Sequence, residues 1–422
     1  MERLTLEYAK KMDEVDSLKS FRDRFYTKDN EIYMDGNSLG LLSKDAEASL
    51  LKVLDEWKQL GINAWEKANW FYFPEKMGEM EAPLFGAKPE EIIVHSSTTL
   101  DLHCLLATFF KPVPGKDKIM IDELNFPSDR YAVESHLKLR GLDPAKNLVV
   151  VDSKDGRTLD EDHIISLMKD DIAMIILPGV LYRSGQLLNM EKLTKAAHEK
   201  NIYIGFDCCH SAGSVQHEFD KWDVDFAFWC NYKYLNCGPG GTAAIFINEK
   251  HFKKGPGMAG WHGFIKSKQF DMIQEFMPQN SAGAWQVGTA HMLSMAPLEG
   301  SLAMFHEAGL DNIRTKSLKM TDYLMMLIDE LLTPYGFSIG TPREAERRGG
   351  HVALEHDDAI KINAALKNNG VIPDFRFPNV IRLAPIAFYN TYEDIWHVVD
   401  IIKTIMDTKE YEKYSSERGT IA

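Results

Sequence analysis

The chain has 422 residues, 45% hydrophobic and 26% charged, with a formal net charge of −14. That length holds two or three domains' worth of chain, and so ordinary a composition excludes disorder except at the ends. The acidic balance excludes nucleic acid, which needs a positive surface field, and no apolar run reaches the roughly 18 residues that span a bilayer.

The chain opens on MERLTLEYAKKMDEVDSLKSF, a charged, helix-patterned stretch with no apolar core of a signal peptide. Strand candidates follow at Glu91–His95, Lys118–Asp122, Asn147–Asp152, Ala173–Leu177, Tyr203–Asp207, Val224–Trp229 and Ala243–Ile247. Helical patterns at Thr99–Phe110, Ser128–Leu139, Asp160–Lys169 and Asn189–Lys200 lie between several of them. Such alternation indicates an α/β fold whose mostly parallel, seven-stranded sheet is covered by helices. After about Ala290 the pattern changes. Long amphipathic stretches (Met292–Ala308, Asp311–Leu332) lead to short strands near Gly350–Glu355 and Val380–Leu383 and a helix around Tyr392–Met406, a smaller α+β domain. The expected division is residues 1–45 packing with the small domain, 46–300 the large domain and 301–422 the small one. The polar tail after Lys409 is expected to be loose. The five cysteines, Cys104, Cys208, Cys209, Cys230 and Cys237, form no CxxC pair and suggest reduced thiols in cytoplasm.

Two charges stand where buried strands should end: Asp207 after Tyr-Ile-Gly-Phe, and Lys233 after the run that begins at Val224. Ligands of open α/β sheets bind outside the carboxyl ends of strands, so both charges point into one crevice. An Asp that pairs with a pyridinium nitrogen and a Lys that forms a Schiff base are the protein half of a pyridoxal-phosphate site. Alone, Lys233 reads equally as a snorkelling surface lysine and Asp207 as a helix cap. His210 has a structural reading beside a cofactor contact. Ser96-Ser97-Thr98-Thr99 opens a helix after a strand and offers backbone N–H groups to a phosphate, although ordinary capping explains the same residues. Phe126 follows the Lys118–Asp122 strand and suits stacking on a flat ring, while Asp129 bonds within that loop or caps its helix.

Six runs in order then resemble the kynureninase family, from about Glu31 to Asp407. They are Gly36-Asn37-Ser38-Leu39-Gly40-Leu41, Phe126-Pro127-Ser128-Asp129, Phe206-Asp207 with His210, Tyr232-Lys233-Tyr234-Leu235-Asn236, Gly260-Trp261, and Ile381-Arg382 with Ala384-Pro385. The resemblance implies an aspartate-aminotransferase-like fold, pyridoxal 5'-phosphate as cofactor, and hydrolysis of L-kynurenine to anthranilate and L-alanine in tryptophan breakdown. It implies Lys233 and Tyr232 as catalytic, and Thr98, Thr99, Phe126, Asp129, Asp207, His210, Tyr232 and Lys233 as cofactor-binding. It also implies Trp261 and Thr289 reaching the phosphate of a partner subunit, hence a homodimer, and Arg382, Trp65 and Asn37 binding substrate. The chain departs from the family at Cys208-Cys209, Pro178 and Ala290-His291; Trp65 with Gly288-Thr289 resembles the bacterial form, which favours unsubstituted kynurenine. The alternatives are a preference for 3-hydroxykynurenine, or another enzyme of this fold such as an aminotransferase or a cysteine desulfurase. A desulfurase needs an exposed nucleophilic Cys, and none lies in the C-terminal part. The 14 histidines show no HExxH, so no metal is expected, and His95/His103 and His251/His262 read as structural.

Overall fold

The computed structural model describes residues 2–417. Its large sheet is built from β1 (Ile92–Val94), β2 (Lys118–Asp122), β3 (Leu148–Val151), β4 (Ile172–Pro178), β5 (Tyr203–Asp207), β6 (Phe226–Trp229) and β7 (Ala244–Ile247). The spatial order is β1-β7-β6-β5-β4-β2-β3. Only β7 runs against the others, pairing antiparallel with both β1 and β6. The carboxyl ends of the other six therefore share one edge. The central β4 is buried at every position, as an unbroken apolar run between two helix layers requires. The expected helices Thr98–Phe109, Pro127–Leu139 and Met190–His198 supply those layers, and the helix expected at Asp160–Lys169 is the shorter Glu161–Ser166.

A second sheet, antiparallel and four-stranded, is formed by β8 (Ser338–Ile339), β9 (Val352–Glu355), β10 (Asp374–Arg376) and β11 (Val380–Leu383), in the order β10-β11-β9-β8. Helices Leu310–Leu331, Ala359–Asn368 and Tyr392–Asp407 cover it. A two-residue parallel pair, Ile32–Tyr33 with Val371–Ile372, ties the N-terminal segment to this unit.

Two expected divisions shift. Residues 1–45 split between the cores: Ala9 and Met34 join the small-domain core, whereas Leu18, Phe21 and Phe25 join the large one. The segment is pinned to the small domain by a buried ion pair, Asp16 to Lys316 at 2.6 Å. Helix Met292–Ala308 packs along helix Lys44–Leu60 within the large core, and residues 384–389 return to that core from the last small-domain strand. The tail beyond Lys409 is ordered at first, since Glu410–Lys413 form a helical turn and Tyr411 and Tyr414 pack on the small-domain core. Residues 418–422, also covered by the expectation of looseness, lie outside the described residues. Among the described residues, no helix is long and apolar enough to cross a membrane.

Candidate active site

The two charges singled out in the sequence meet at the shared carboxyl edge. β5 and β6 run parallel with Asp207 opposite Phe228. Asp207 ends β5 almost fully buried, and its Oδ1 accepts the Cys209 N–H at 2.8 Å, so one oxygen closes a tight turn. Beyond β6 the chain turns back through Tyr232-Lys233, and Lys233 Nζ lies 3.1 Å from His210 Nε2. Burial, then the Lys233 charge, holds the His210 imidazole well below its ordinary pKa. A neutral ring facing a protonated amine accepts through Nε2 and carries its hydrogen on Nδ1, which has no partner. Burial pulls the Lys233 ammonium down, but Cys230, Cys209 and Asp207 outweigh it and hold the group above the usual lysine value. The charge of Cys230, ahead of burial, raises the Tyr232 phenol.

The loop Gly36–Leu41 closes over this turn. Gly40 N–H donates to the Tyr232 carbonyl at 2.8 Å, and any Cβ at Gly40 would collide with the Asn236 side chain and the Lys233 carbonyl. Glycine is required here because two backbones touch. Asn37, fully buried in this loop, has no hydrogen-bond partner for either its Nδ2 or its Oδ1.

The third corner is the start of helix Thr98–Phe109, just past β1. Its N-cap Ser97 makes no side-chain cap, and Ser96 has φ 58°, turning the chain sharply before the helix. Thr98 is half-buried and Thr99 exposed, leaving first-turn N–H groups for an anion. On the other side of Asp207 lie two more carboxyls. Burial pushes Asp122, at the end of β2, up to about 7, and the Asp207 charge adds to the shift. Asp129 is held well above the usual carboxylate range by burial, then by Asp207 and Asp122, so it does not act as a solvated helix cap. Asp122 Oδ2 lacks a partner among the described residues, while the Asn125 side chain faces the Asp129 carboxyl.

Aromatic rings rim the crevice. Phe126, 42% exposed, meets Tyr182 edge-on at 5.4 Å; Tyr182 lies 6.4 Å from His210, and His210 6.0 Å from His351. A flat, anionic cofactor with a cationic ring nitrogen fits this set. Asp207, Asp122 and Asp129 would supply carboxyls to it, Asn37 keeps orphaned polar atoms, Phe126 is exposed and would stack, and the start of helix Thr98–Phe109 has no side-chain cap.

Arg382 enters from the small domain. It sits in β11, opposite Asp374 on β10 and Ala353 on β9. Its Nε donates to Asp374 Oδ2 at 2.5 Å, Nη1 to the Tyr182 carbonyl at 2.8 Å, and Nη2 to Ser38 Oγ at 2.8 Å, besides an ion pair to Asp374. Sequence reasoning missed Ser38, Tyr182 and Asp374 in this role. Their pairing with Arg382 depends on strand register and on two loops remote in sequence, so no local pattern announces it.

Trp65, Trp261 and Thr289 stand elsewhere. They line a separate cavity of about 710 Å³ with Phe71, Tyr72 and Phe270, while Lys233, Asp207 and Arg382 are not among its walls. Trp65 packs edge-on against Trp70 and near His262. The sequence-paired histidines also separate: His95 faces Asp101 at 3.3 Å, His103 faces His136 at 3.0 Å, and His251 binds Asp225 at 2.7 Å. Among the described residues, no group of three or more His, Cys, Asp or Glu is placed to hold a metal. All five cysteines are free and buried.

The chain is similar to known proteins along nearly its whole length. A family model described as the kynureninase C-terminal domain matches residues 313–402. The chain is 55% identical over 420 residues to kynureninase of Geobacillus thermodenitrificans (strain NG80-2), covering 99% of this chain and 98% of that one. It is 56% identical, with the same coverage, to kynureninase of Bacillus thuringiensis subsp. konkukian (strain 97-27). Among solved structures, a C-DES mutant with glycine covalently linked to its PLP cofactor superposes with TM-score 0.79 at 16% identity, over 90% of this chain and 98% of that one. The apo cysteine desulfurase of Thermococcus onnurineus NA1 gives TM-score 0.75 at 16% identity, over 92% and 98%. At that identity the structures speak for the fold alone.

Proposed function

The chain belongs to the kynureninase family of pyridoxal-phosphate-dependent carbon–carbon hydrolases, and from that premise we propose that it cleaves L-kynurenine to anthranilate and L-alanine. The observation that carries this reading is the convergence of Asp207, His210 and Lys233 on one crevice that Arg382 enters from the other domain. Thr98 and Thr99 would hold the phosphate of pyridoxal phosphate, Phe126 the face of its ring, and Asp207 with Asp129 and His210 its polar edge. When bound, that cofactor supplies an electron sink for the bonds at the substrate α-carbon.

The chain's own groups do the rest. Arg382, whose Nη2 already meets Ser38, binds the α-carboxylate through its remaining donor capacity together with Asn37, the residue before Ser38. Lys233 Nζ, which must first release the proton that Cys230, Cys209 and Asp207 favour, removes the proton at Cα, with neutral His210 as its neighbour in the crevice. Water adds to the side-chain carbonyl, the Cβ–Cγ bond breaks, and the Tyr232 hydroxyl returns a proton at Cβ. The raised pKa keeps that phenol protonated and able to donate.

A homodimer completes the site. Trp65, Trp261 and Thr289 line a cavity apart from Lys233, with Phe270 69% and Ile62 79% exposed beside it, a surface suited to a second copy. In that assembly Trp261 and Thr289 serve the partner's phosphate and Trp65 walls the aryl group. Trp65 favours unsubstituted kynurenine over its 3-hydroxy form, and the five free, buried thiols support a reducing, cytoplasmic setting. The cysteine-desulfurase alternative has no support from the thiols, which are all buried, the last at Cys237. Rates on L-kynurenine and 3-hydroxykynurenine, followed by fluorescence of the aminobenzoate product, test the proposal. Higher kcat/KM for L-kynurenine is expected; no aminobenzoate from either refutes the reaction, and preference for the hydroxylated form refutes the role of Trp65.

A further inference from the structure

His351 is fully buried; among the described residues neither Nδ1 nor Nε2 makes a well-formed hydrogen bond, the Arg183 backbone offering the ring only a weak one. Buried polar atoms are rarely left so without a reason. The residue lies two positions before Ala353 in the chain that enters β9, and alternation along a strand puts both on one face. Ala353 is directly opposite Arg382, so His351 stands diagonally across from the guanidinium on the same face. Its ring is 6.0 Å from that of His210, which contacts Lys233 at 3.1 Å. The imidazole also packs on the glycine turn at Gly185, three residues after the Tyr182 carbonyl that takes Arg382 Nη1.

The donor count at Arg382 shows what is missing. A guanidinium has five N–H donors, and here Asp374, Tyr182 and Ser38 occupy most of them. A carboxylate accepts about four hydrogen bonds, so Arg382 alone leaves it under-satisfied. We infer that His351 is a further substrate-binding residue, whose ring N–H, held only weakly by the Arg183 backbone, donates to the substrate α-carboxylate beside Arg382. This role rests on the reaction proposed above and adds a residue to its amino-acid end.

The test uses cofactor-loaded parent protein, His351→Leu and His351→Gln. Binding of the product L-alanine, and of ethylamine as the same chain without its carboxylate, is titrated through the visible absorbance of the bound cofactor. Parent binding of L-alanine is scored first, because its absence would refute the reading of the site and this role with it. Given parent binding, His351→Leu should lose L-alanine affinity about tenfold or more while ethylamine affinity stays within about threefold. His351→Gln, which keeps a donor of similar reach, should stay within about threefold of the parent for both ligands. It carries the test alone if the leucine variant does not fold. Unchanged L-alanine affinity in His351→Leu, equal losses for both ligands, or a tenfold loss of L-alanine affinity in His351→Gln would overturn the inference.

Discussion

Replacing Asp374 by Ala removes the counter-ion that holds Arg382 in place. The Asp374 side chain is 4% exposed, and it accepts from Arg382 Nε at 2.5 Å and from Arg376 Nε at 2.9 Å. Arg376 is 29% exposed and recovers water when the carboxylate goes; Arg382, at 1%, does not. Breaking a buried pair from one side costs about 3–5 kcal/mol, because the remaining charge stays desolvated. Asp35 supplies partial relief. Burial, then the Asp374 charge, pushes its carboxyl up to about 6, so loss of Asp374 lets it ionise more readily beside Arg382. The expected loss therefore lies at the lower end, about 3 kcal/mol for Asp374→Ala and about 1–2 kcal/mol for Asp374→Asn, which keeps an acceptor. Urea unfolding followed by far-ultraviolet circular dichroism reads the stability, and KM for L-kynurenine reads the guanidinium's placement. KM should rise more than kcat falls. If Asp374→Ala unfolds with the parent and keeps its KM, Arg382 is not positioned by this carboxylate.

Two other perturbations act on the large domain. Gly40→Ala drives a methyl group into Asn236 and the Lys233 carbonyl, so titration with pyridoxal phosphate should show affinity reduced by about tenfold or more, and parent-like affinity would contradict the contact. Asp122 titrates near 7 in the folded chain against an ordinary value of 3.8, because burial favours its neutral form. Its contribution to stability is therefore intact below the ordinary value and is lost as pH rises through about 7. Urea midpoints of the cofactor-free protein should carry that downward slope, and Asp122→Asn should flatten it; an unchanged slope refutes the assignment.

Asp207 and Lys233 were legible because one ends and the other stands just past a short apolar run, a pattern that marks a buried strand and leaves a charge at its mouth. Thr98 and Thr99 were legible as hydroxyl residues opening a helix. The surroundings of Arg382 were not. Asp374 faces it through antiparallel register, and Ser38 and Tyr182 arrive from loops 344 and 200 residues away. His351 carries no periodic signal because it precedes its strand, and only the fold shows that its ring nitrogens make no well-formed hydrogen bond. Strands of two residues, Ile32–Tyr33 and Ser338–Ile339, are too short for alternation to register. Helix Met292–Ala308 was expected to be amphipathic, but apolar residues all round it place it inside the large core rather than between domains.

The central claim is that Lys233 is the cofactor's anchor and the base of the reaction. Reduction of the cofactor-loaded protein with borohydride, followed by peptide mapping, tests it most directly, with Lys233→Ala assayed alongside for anthranilate. The cofactor should be recovered on the peptide holding Lys233, and the variant should form no anthranilate. Recovery on another lysine, or anthranilate formation by Lys233→Ala, would contradict the account.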